Sequence, residues 1–477
     1  MPDYTFDFGN ISDRWIKTPV KVSSNTRKTH VHGTIRVSID DNPILASSLN
    51  RMPELGADLL DLAVATFVAD RRSQRIPNPD GELDAHEISV HLPLRNSNHF
   101  QQFQPSWTQL LHYYIQDNWL FDFTERSGIE RSSSMQSTLW QPIENVEVAL
   151  FSGGLDSMAG LVNRIAHSPQ KKYILVGGGA HQGAFETQRN LKTALQRQFP
   201  NTSLSLVQIQ LHQSGVKPFH ADPDFRSRGL VFTLFGAACA IAHGQQTLHI
   251  YENAIGAYNF PPRRSSVGLD HSLAVHPYSL LRVSDFISSI LGISFIVVNP
   301  FEASTKAQMC AMLTNYDLLD AVALTVSCDK ASYGHPQCGS CSSCVLRRQS
   351  LQAAGIEDRT AYVTSSLDVE KRDRVLRRSH LPAMLYCVRK LEAIFNTEDS
   401  WRAFKLEHPS RGWDAVAQIA KRTGKTEVEV AIPMLRAHQL YLDEWKAIEG
   451  NFANELDAIR DAKRAEIAKK KAIRVGL

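Results

Sequence analysis

The sequence predicts an α/β protein built around a doubly wound parallel sheet, with helices on both faces of the strands. The first observation is an alternation of apolar runs and amphipathic segments that begins near Val146. The second is a glycine-rich turn after the first of these runs, and the third is a cluster of four cysteines near the end of the alternation. Strands are predicted at residues 146–151, 173–177, 204–210, 247–251 and 294–298, and helices at residues 156–167, 184–199, 226–243, 279–292 and 305–315.

The regions on either side of this alternation have different patterns, so three domains are predicted. Residues 1–145 are expected to form an N-terminal α+β domain, and residues 146–365 hold the alternation and the cysteines. Residues 366–477 are expected to form a helical extension, because the strand-like runs stop there. Within the first domain we predict strands at 29–39 and 87–94, helices at 55–69 and 107–119, a loop at 75–82 and a linker near 132–134.

Composition limits the classes of partner. The chain has 477 residues, 43% of them hydrophobic, and a net charge of +3. Because this charge is small, nucleic acid is not the expected partner. The longest apolar stretch, residues 230–242, is shorter than the about 20 residues of a membrane-spanning helix, and the segment after Met1 lacks a basic, apolar leader. We therefore expect a cytoplasmic protein without membrane association.

The most informative segment is the turn Ser152-Gly153-Gly154-Leu155-Asp156-Ser157, between a predicted buried strand and a predicted helix. Glycines allow the backbone to approach a ligand closely, and a helix N-terminus attracts anions, so the turn is predicted to bind phosphate. It is not a Walker A loop, since no Lys-Ser/Thr pair follows the second glycine. A turn of the same composition that binds no nucleotide is the open alternative.

Four of the seven cysteines lie close together, namely Cys328, Cys338, Cys341 and Cys344. In a reducing compartment such a cluster favours metal ligation over disulfides. Four thiolates at these spacings suit a structural, tetrahedral zinc ion. An iron–sulfur cluster and a redox pair are the alternatives, although a pair would not explain four cysteines.

These motifs together resemble a known family. The turn is similar to the signature of the PP-loop ATP pyrophosphatases, and the chain resembles the QueC family, the 7-cyano-7-deazaguanine synthases. The resemblance rests on the turn at residues 152–157, which we call the phosphate loop, on Thr305-Lys306 at the start of a predicted helix, and on the motif from Cys338 to Arg348. It covers roughly residues 146–362. The additional N-terminal and C-terminal regions make the chain more similar to long QueC-like proteins of bacterial antiphage defence operons, those of the Qat and type IV CBASS systems.

The resemblance implies a PP-loop, HUP-like fold and an ATP-dependent carbon–nitrogen ligase that forms AMP and pyrophosphate. The carboxylate of 7-carboxy-7-deazaguanine would be adenylated and then joined to an amine. In the long forms, the resemblance implies that this amine is the N-terminus of a partner protein from the same operon. In the short enzymes it is ammonia, and a second ATP converts the amide to the nitrile. The substrate loop of the short enzymes has no clear equivalent here, which favours a reaction that stops at the amide.

The resemblance also assigns roles to residues and implies ATP, Mg²⁺ and Zn²⁺ as cofactors. The ATP-binding residues are Ser152, Gly153, Gly154, Leu155, Asp156 and Ser157. The catalytic residues are Asp156, Lys306 and Arg228, and the substrate-binding residues are Glu252 and Asn253. Asp156 would orient Mg²⁺, Lys306 would add positive charge at the pyrophosphate, and Arg228 would neutralise the α-phosphate or the substrate carboxylate. Glu252 would accept hydrogen bonds from a guanine-like base, with a structural ion pair as its alternative.

Three other functions stay open at this point. One is a housekeeping 7-cyano-7-deazaguanine synthase that uses ammonia. Another is a PP-loop enzyme that modifies tRNA, which a basic surface and a strong salt dependence of RNA binding would support. The third is an ATP-binding scaffold of a defence complex without turnover, and this role would survive the substitution Asp156→Ala.

Overall fold

The structure is a computed structural model that describes residues 3–8, 18–26, 29–49, 52–73, 85–126, 144–179, 182–215, 226–260, 273–329 and 336–474. The strands of these residues are β1 (Asp3–Asp7), β2 (Thr18–Thr26), β3 (Thr29–Asp40), β4 (Glu87–Leu94), β5 (Asn118–Glu125), β6 (Val146–Leu150), β7 (Lys172–Gly179), β8 (Ser203–Gly215), β9 (Thr247–His249) and β10 (Ile296–Val298). The helices are α1 (Asn42–Ser47), α2 (Glu54–Arg72), α3 (Ser97–Ile115), α4 (Leu155–His167), α5 (Gln182–Gln198), α6 (Arg228–Ala242), α7 (Ala254–Tyr258), α8 (Pro277–Leu291), α9 (Lys306–Ala311), α10 (Leu319–Leu324), α11 (Ser342–Ala353), α12 (Val369–Leu376), α13 (Leu381–Phe395), α14 (Ser400–Glu407), α15 (Ala415–Thr423), α16 (Glu427–Ile448) and α17 (Ala453–Arg474).

A single mixed sheet contains the described strands, in the order β10-β9-β6-β7-β8-β3-β2-β1-β4-β5. Its strands β10, β9, β6, β7 and β8 are parallel to one another. From β6 the chain moves outward to β7 and β8 on one side, and it later returns to β9 and β10 on the other. At such a reversal the loops that follow two neighbouring strands diverge and leave a crevice. This crevice lies after β6 and β9.

Helices pack on both faces of the parallel strands. Val148 and Ile174 belong to a core that includes α2, α6 and α8. Their chain neighbours Ala149 and Leu175 belong to a second core, which includes α4, α5, α9 and α10. The predicted α/β class with parallel strands is therefore confirmed. The predicted strands and helices of residues 146–315 all occur, although β8 continues to Gly215 and a 3-10 turn completes the last helix.

The N-terminal strands continue the same sheet. Strand β3 pairs antiparallel with β8, over residues 35–40 and 210–215. Helix α2 packs on α6 so closely that a Cβ on Gly56 would lie 3.4 Å from Ile241. The boundary predicted at residue 145 thus falls between two parts of one sheet, and as a division into domains it stays a prediction. The loop predicted at 75–82 and the linker predicted near 132–134 lie outside the described residues.

The helix predicted over residues 107–119 is wrong at both ends. Helix α3 begins at Ser97, contains Pro105 and ends at Ile115. Gln116 follows with φ +65°, a left-handed conformation that stops the helix. In β5 the buried side chains alternate with exposed ones, as in a strand with one face on a core.

The C-terminal region is helical, as predicted, and it packs on the α/β part of the chain. Tyr258 of α7 and Leu346 of α11 share a core with Val388 and Trp445 of the extension. The Arg348 guanidinium of α11 also pairs with the Glu455 carboxylate of α17, at 3.1 Å between Nη1 and Oε1. In the part of the chain that the structure describes, every helix is too short or too polar to span a bilayer.

Candidate functional site

A glycine turn joins β6 to α4 at the carboxyl end of the parallel strands. Gly153 has φ +85°, a left-handed conformation that favours glycine. The Ser152 hydroxyl accepts the Gly154 N–H at 3.2 Å and lies 3.3 Å from the Ser157 hydroxyl. Both serines line a cavity, so the positive end of the α4 dipole borders it. This arrangement suits a phosphate group.

Four polar side chains from three loops converge beside this turn. Lys306 Nζ lies 2.6 Å from Asp156 Oδ2. Asn253 Nδ2 donates to Asp156 Oδ1 at 2.9 Å and to Glu252 Oε1 at 2.8 Å. Asn253 is itself fixed as the N-cap of α7, because its Oδ1 accepts the Gly256 N–H at 3.0 Å. Residues that follow β6, β9 and β10 are thus held in one hydrogen-bonded group.

The ionisable side chains of this group shift one another's pKa values. Burial disfavours the Lys306 ammonium, but the carboxylates of Asp156 and Glu252 outweigh that cost and raise the pKa of Lys306. Burial raises the pKa of Glu252 to about 8, and the neighbouring Asp156 carboxylate adds to the rise. The salt bridge between Lys306 and Asp156 therefore lies next to a carboxyl group whose affinity for a proton is increased.

Helix α16 of the extension contacts the start of the helix that carries Lys306. Thr305 caps α9, and its side-chain oxygen accepts the Gln308 N–H at 3.1 Å. The Thr305 hydroxyl also donates to the Glu444 carboxylate of α16. Gln349 of α11 donates to the second Glu444 oxygen at 3.1 Å. Glu444 therefore links the extension to the backbone that positions Lys306.

The polar group opens into a cavity of about 510 Å³ that has two chemically different walls. The first, which we call the sheet wall, consists of Ser152, Asp156, Ser157, Glu252 and Lys306. The second, which we call the extension wall, consists of Phe260, Met384, His408, His438 and Tyr441. Charged groups dominate the sheet wall, whereas the extension wall presents rings and a thioether beside the ion pair of Lys390 and Glu407. The cavity can hold a polyanion on one wall and a planar, less polar group on the other.

The four clustered cysteines form a candidate metal centre. Their sulfur atoms all lie within 4.8 Å of one another, with 3.8 Å between the sulfurs of Cys338 and Cys344 and 4.0 Å between those of Cys341 and Cys328. A tetrahedron of sulfurs about 2.3 Å from a central zinc ion has edges of about 3.8 Å. Backbone N–H groups of Ser340 and Cys341 donate to Cys338 Sγ at 3.4 and 3.3 Å. The donor set and its spacing fit one zinc ion.

The two arginines that follow this centre bind protein groups. Arg347 is fully buried and donates to the Val322 carbonyl at 2.7 Å and the Thr360 hydroxyl at 2.8 Å. Arg348 pairs with Glu455 and donates to the Gly339 carbonyl at 3.0 Å. Neither lines the cavity in the described residues. Their role is to hold the cysteine segment against the rest of the fold.

The similarity of this chain to known proteins lies in the part that carries the sheet wall and the cysteines.

Residues 146–355 match the family described as queuosine biosynthesis protein QueC.

The chain is also similar to curated proteins named 7-cyano-7-deazaguanine synthase. The one from Myxococcus xanthus is 26% identical over 238 residues, which cover 46% of this chain and 98% of that protein. The one from Cupriavidus metallidurans is 26% identical over 233 residues, 46% of this chain and 97% of that protein. A Pseudomonas putida protein of the same name is 38% identical over 77 residues, 16% of this chain and 33% of that protein. The QueC match ends before the residues that α13, α14 and α16 bring to the extension wall.

The structure brings most of the predicted site residues together. The phosphate loop, Glu252, Asn253 and Lys306 share one group, and the four cysteines form another. Arg228 is different: it is exposed, its guanidinium lies 5.5 Å from the ring centre of Phe232, and it does not line the cavity in the described residues. The roles of all these residues stay predictions.

Sequence reasoning missed the residues that the extension contributes. His408 and His438 line the cavity, and Glu444 binds Thr305. His438 and Glu444 lie in α16 and His408 directly follows α14, and no sequence motif marks any of them. Their only local signal is a polar residue at a position next to a helical core. Their approach to the site depends on how α14 and α16 pack on α7 and α11.

Proposed function

We propose that the protein adenylates the carboxylate of 7-carboxy-7-deazaguanine with ATP and then joins the acyl group to an amine. The observation that carries this proposal is the group formed by the phosphate loop, Asp156, Asn253, Glu252 and Lys306 within a region that matches QueC. This group combines a phosphate-binding turn with a buried cation and a carboxyl that suits a guanine-like base. The relatives' shared name, 7-cyano-7-deazaguanine synthase, supports the choice of substrate.

The chemistry requires positioning and charge stabilisation more than a protein nucleophile. A carboxylate oxygen of the substrate attacks the α-phosphorus of ATP, the bond between the α- and β-phosphates breaks, and pyrophosphate leaves. The α4 N-terminus and the Lys306 ammonium are placed to stabilise the charge that develops on the pyrophosphate. Mg²⁺ would further neutralise the phosphates, and Asp156 is the residue proposed to hold it.

The second step transfers the acyl group to nitrogen. An amine lone pair attacks the carbonyl carbon of the acyl-AMP, AMP leaves with the electrons of the broken C–O bond, and the nitrogen loses a proton. We propose that the amine is the N-terminus of a partner protein and that the setting is a bacterial antiphage system of the Qat or type IV CBASS type. What supports this is that Met384, His408, His438 and Tyr441 of the extension wall lie beyond the region that matches the short synthases.

Nucleotide product analysis tests the first step. Zinc-loaded protein is incubated with ATP, Mg²⁺ and 7-carboxy-7-deazaguanine, and AMP is separated from ADP. We expect AMP that depends on the deazaguanine. ADP as the product, or AMP that forms equally well without the deazaguanine, would contradict the proposal.

The choice of amine is tested in the same reaction. Added ammonia should stimulate AMP formation weakly, and a candidate partner protein should gain the mass of the acyl group at its N-terminus. Strong stimulation by ammonia with formation of the nitrile would instead support the second candidate, a 7-cyano-7-deazaguanine synthase. The names and coverage of the relatives favour that candidate.

A further inference from the structure

His438 on α16 is a buried histidine with one ring nitrogen left for a ligand. Its side chain is 3% exposed and lines the cavity. Nδ1 lies 2.8 Å from the Met434 carbonyl oxygen, and because a carbonyl only accepts, Nδ1 must carry the hydrogen. Burial lowers the pKa of His438 to about 4, so the ring is neutral and Nε2 is an acceptor.

No donor for His438 Nε2 occurs among the described residues. The nitrogen does not belong to the fully buried side-chain atoms that lack a partner, so it reaches the open cavity, where a ligand can complete its hydrogen bonding. The partner must donate an N–H or O–H group, because Nε2 has only a lone pair to offer. This requirement defines one polar contact of a ligand.

The surroundings of His438 define the shape of that ligand. The ring centre of Phe260 lies 5.2 Å from that of His438 and 4.3 Å from that of His408, with the last pair stacked. Burial, aided by His438, lowers the pKa of His408 to about 4, so this ring is also neutral. Phe404 supports the cluster from behind the cavity, with its ring centre 5.1 Å from that of Phe260. The extension wall therefore combines an aromatic surface and a directed acceptor with the ion pair of Lys390 and Glu407, which also lines the cavity.

We propose that the extension wall is a subsite for a planar, uncharged, purine-like ring that donates an N–H or amino hydrogen to His438 Nε2. The inference rests on the proposed function, since it places the ring of one of its two substrates. That ring is the deazaguanine of the acyl substrate or the adenine of ATP. Both are planar, uncharged rings with an amino group that can donate to His438 Nε2. The QueC match ends at residue 355, so His408 and His438 would give this chain a contact that the matched region does not contain.

The chain offers a matched control in His243. It is 1% exposed, and its Nδ1 bonds the carbonyl of the residue four positions earlier, Cys239, at the same 2.8 Å. Burial lowers the pKa of His243 as well. It differs in position, because it does not line the cavity. The substitutions His438→Phe and His243→Phe therefore remove the same group inside and outside the proposed subsite.

Calorimetric titration with two probes, 7-carboxy-7-deazaguanine and α,β-methylene-ATP, distinguishes the two rings. We expect His438→Phe to weaken the binding of one probe by about tenfold or more and to leave the other within twofold, a loss typical of one buried hydrogen bond. His243→Phe should bind both probes as the unaltered protein does. His438→Gln, which keeps an acceptor oxygen, should recover part of the loss. If His438→Phe binds both probes as tightly as the unaltered protein does, the proposed subsite is wrong. It is also wrong if the unaltered protein binds neither probe.

A second measurement does not depend on a variant that folds. In unaltered protein labelled with ¹⁵N in histidine, the probe bound at the wall should shift the Nε2 resonance of His438 toward that of a hydrogen-bonded acceptor. No shift with either probe would overturn the subsite.

The subsite and the proposed function can fail independently. AMP formation without any effect of His438→Phe contradicts only the subsite. Binding through His438 without AMP formation contradicts only the proposed function.

Discussion

The two walls of the cavity differ in chemistry and in how the chain builds them. The sheet wall comes from short segments at the ends of neighbouring parallel strands, and hydrogen bonds of 2.6 to 2.9 Å join its side chains. The extension wall comes mainly from the extension, whose His408 and His438 rings contact Phe260, a residue that follows α7, at centre distances of 4.3 and 5.2 Å. The difference teaches that the polar group of the sheet wall depends on local motifs, whereas the aromatic surface of the extension wall depends on tertiary packing.

The largest predicted effect is on the rate of AMP formation, and it should differ between substitutions of two lysines on opposite sides of the cavity. Lys306 pairs with Asp156 in the phosphate loop, whereas Lys390 of the extension pairs with Glu407. We expect Lys306→Met to slow AMP formation by about 10²–10³-fold, because it removes a charge that stabilises the leaving pyrophosphate. Lys390→Met should change the rate by no more than a few-fold. Similar losses in both variants would mean that the two walls do not divide the chemistry in this way.

Removing a cysteine of the metal centre should have the next largest effect, because Ser342 and Leu346, which lie beside the cysteines in the sequence, line the cavity. Cys341→Ser should lower the metal content from one zinc ion per chain to almost none and lower the unfolding midpoint by roughly 5–10 °C. Cys387→Ser is the control, since Cys387 lies in the extension outside the four-cysteine cluster. Metal analysis and thermal unfolding check both. Full zinc content in Cys341→Ser would refute the assignment of the ligands.

The pH dependence of substrate binding should identify the active form of Glu252. Burial, with the help of Asp156, raises the pKa of Glu252 to about 8, so the free site is protonated below that pH. If the carboxylate accepts from the deazaguanine, affinity should rise about tenfold per pH unit up to about pH 8 and then level off. Glu252→Gln should bind more weakly and without this slope. A flat profile in the unaltered protein would show that the carboxyl does not bind the ring as a carboxylate.

The smallest effect should come from the contact between α16 of the extension and the start of α9. Glu444→Ala removes the carboxylate that accepts from Thr305, so we expect AMP formation to fall a few-fold while the affinity for ATP stays within twofold. Stability should decrease by about 1–3 kcal/mol, because the Thr305 hydroxyl and Gln349 lose their acceptor. Asp443→Ala, one position earlier and exposed, is the control for both rate and stability. An unchanged rate in Glu444→Ala would limit Glu444 to a structural role.

Much of the sheet wall was predictable because its signals are local. The turn after β6, the Glu252-Asn253 pair after β9 and Thr305-Lys306 after β10 stand where parallel strands place ligand-binding residues. Local signals were misleading in the N-terminal part. Proline usually ends or bends a helix, so Pro105 favoured a helix that begins after it, whereas α3 begins at Ser97. His408 and His438 could not be predicted, since nothing in α14 or α16 specifies which neighbour their polar positions meet.

Strand β8 has a consequence for any attempt to isolate the catalytic part of the chain. Its residues 210–215 pair with β3, and α6 packs under α2. A truncated protein that starts at residue 146 would therefore present an open strand edge and a bare apolar helix face to solvent. Such surfaces promote edge-to-edge association. Insolubility of that fragment would therefore reflect the loss of its neighbours in the sheet, whatever the chemistry of the site.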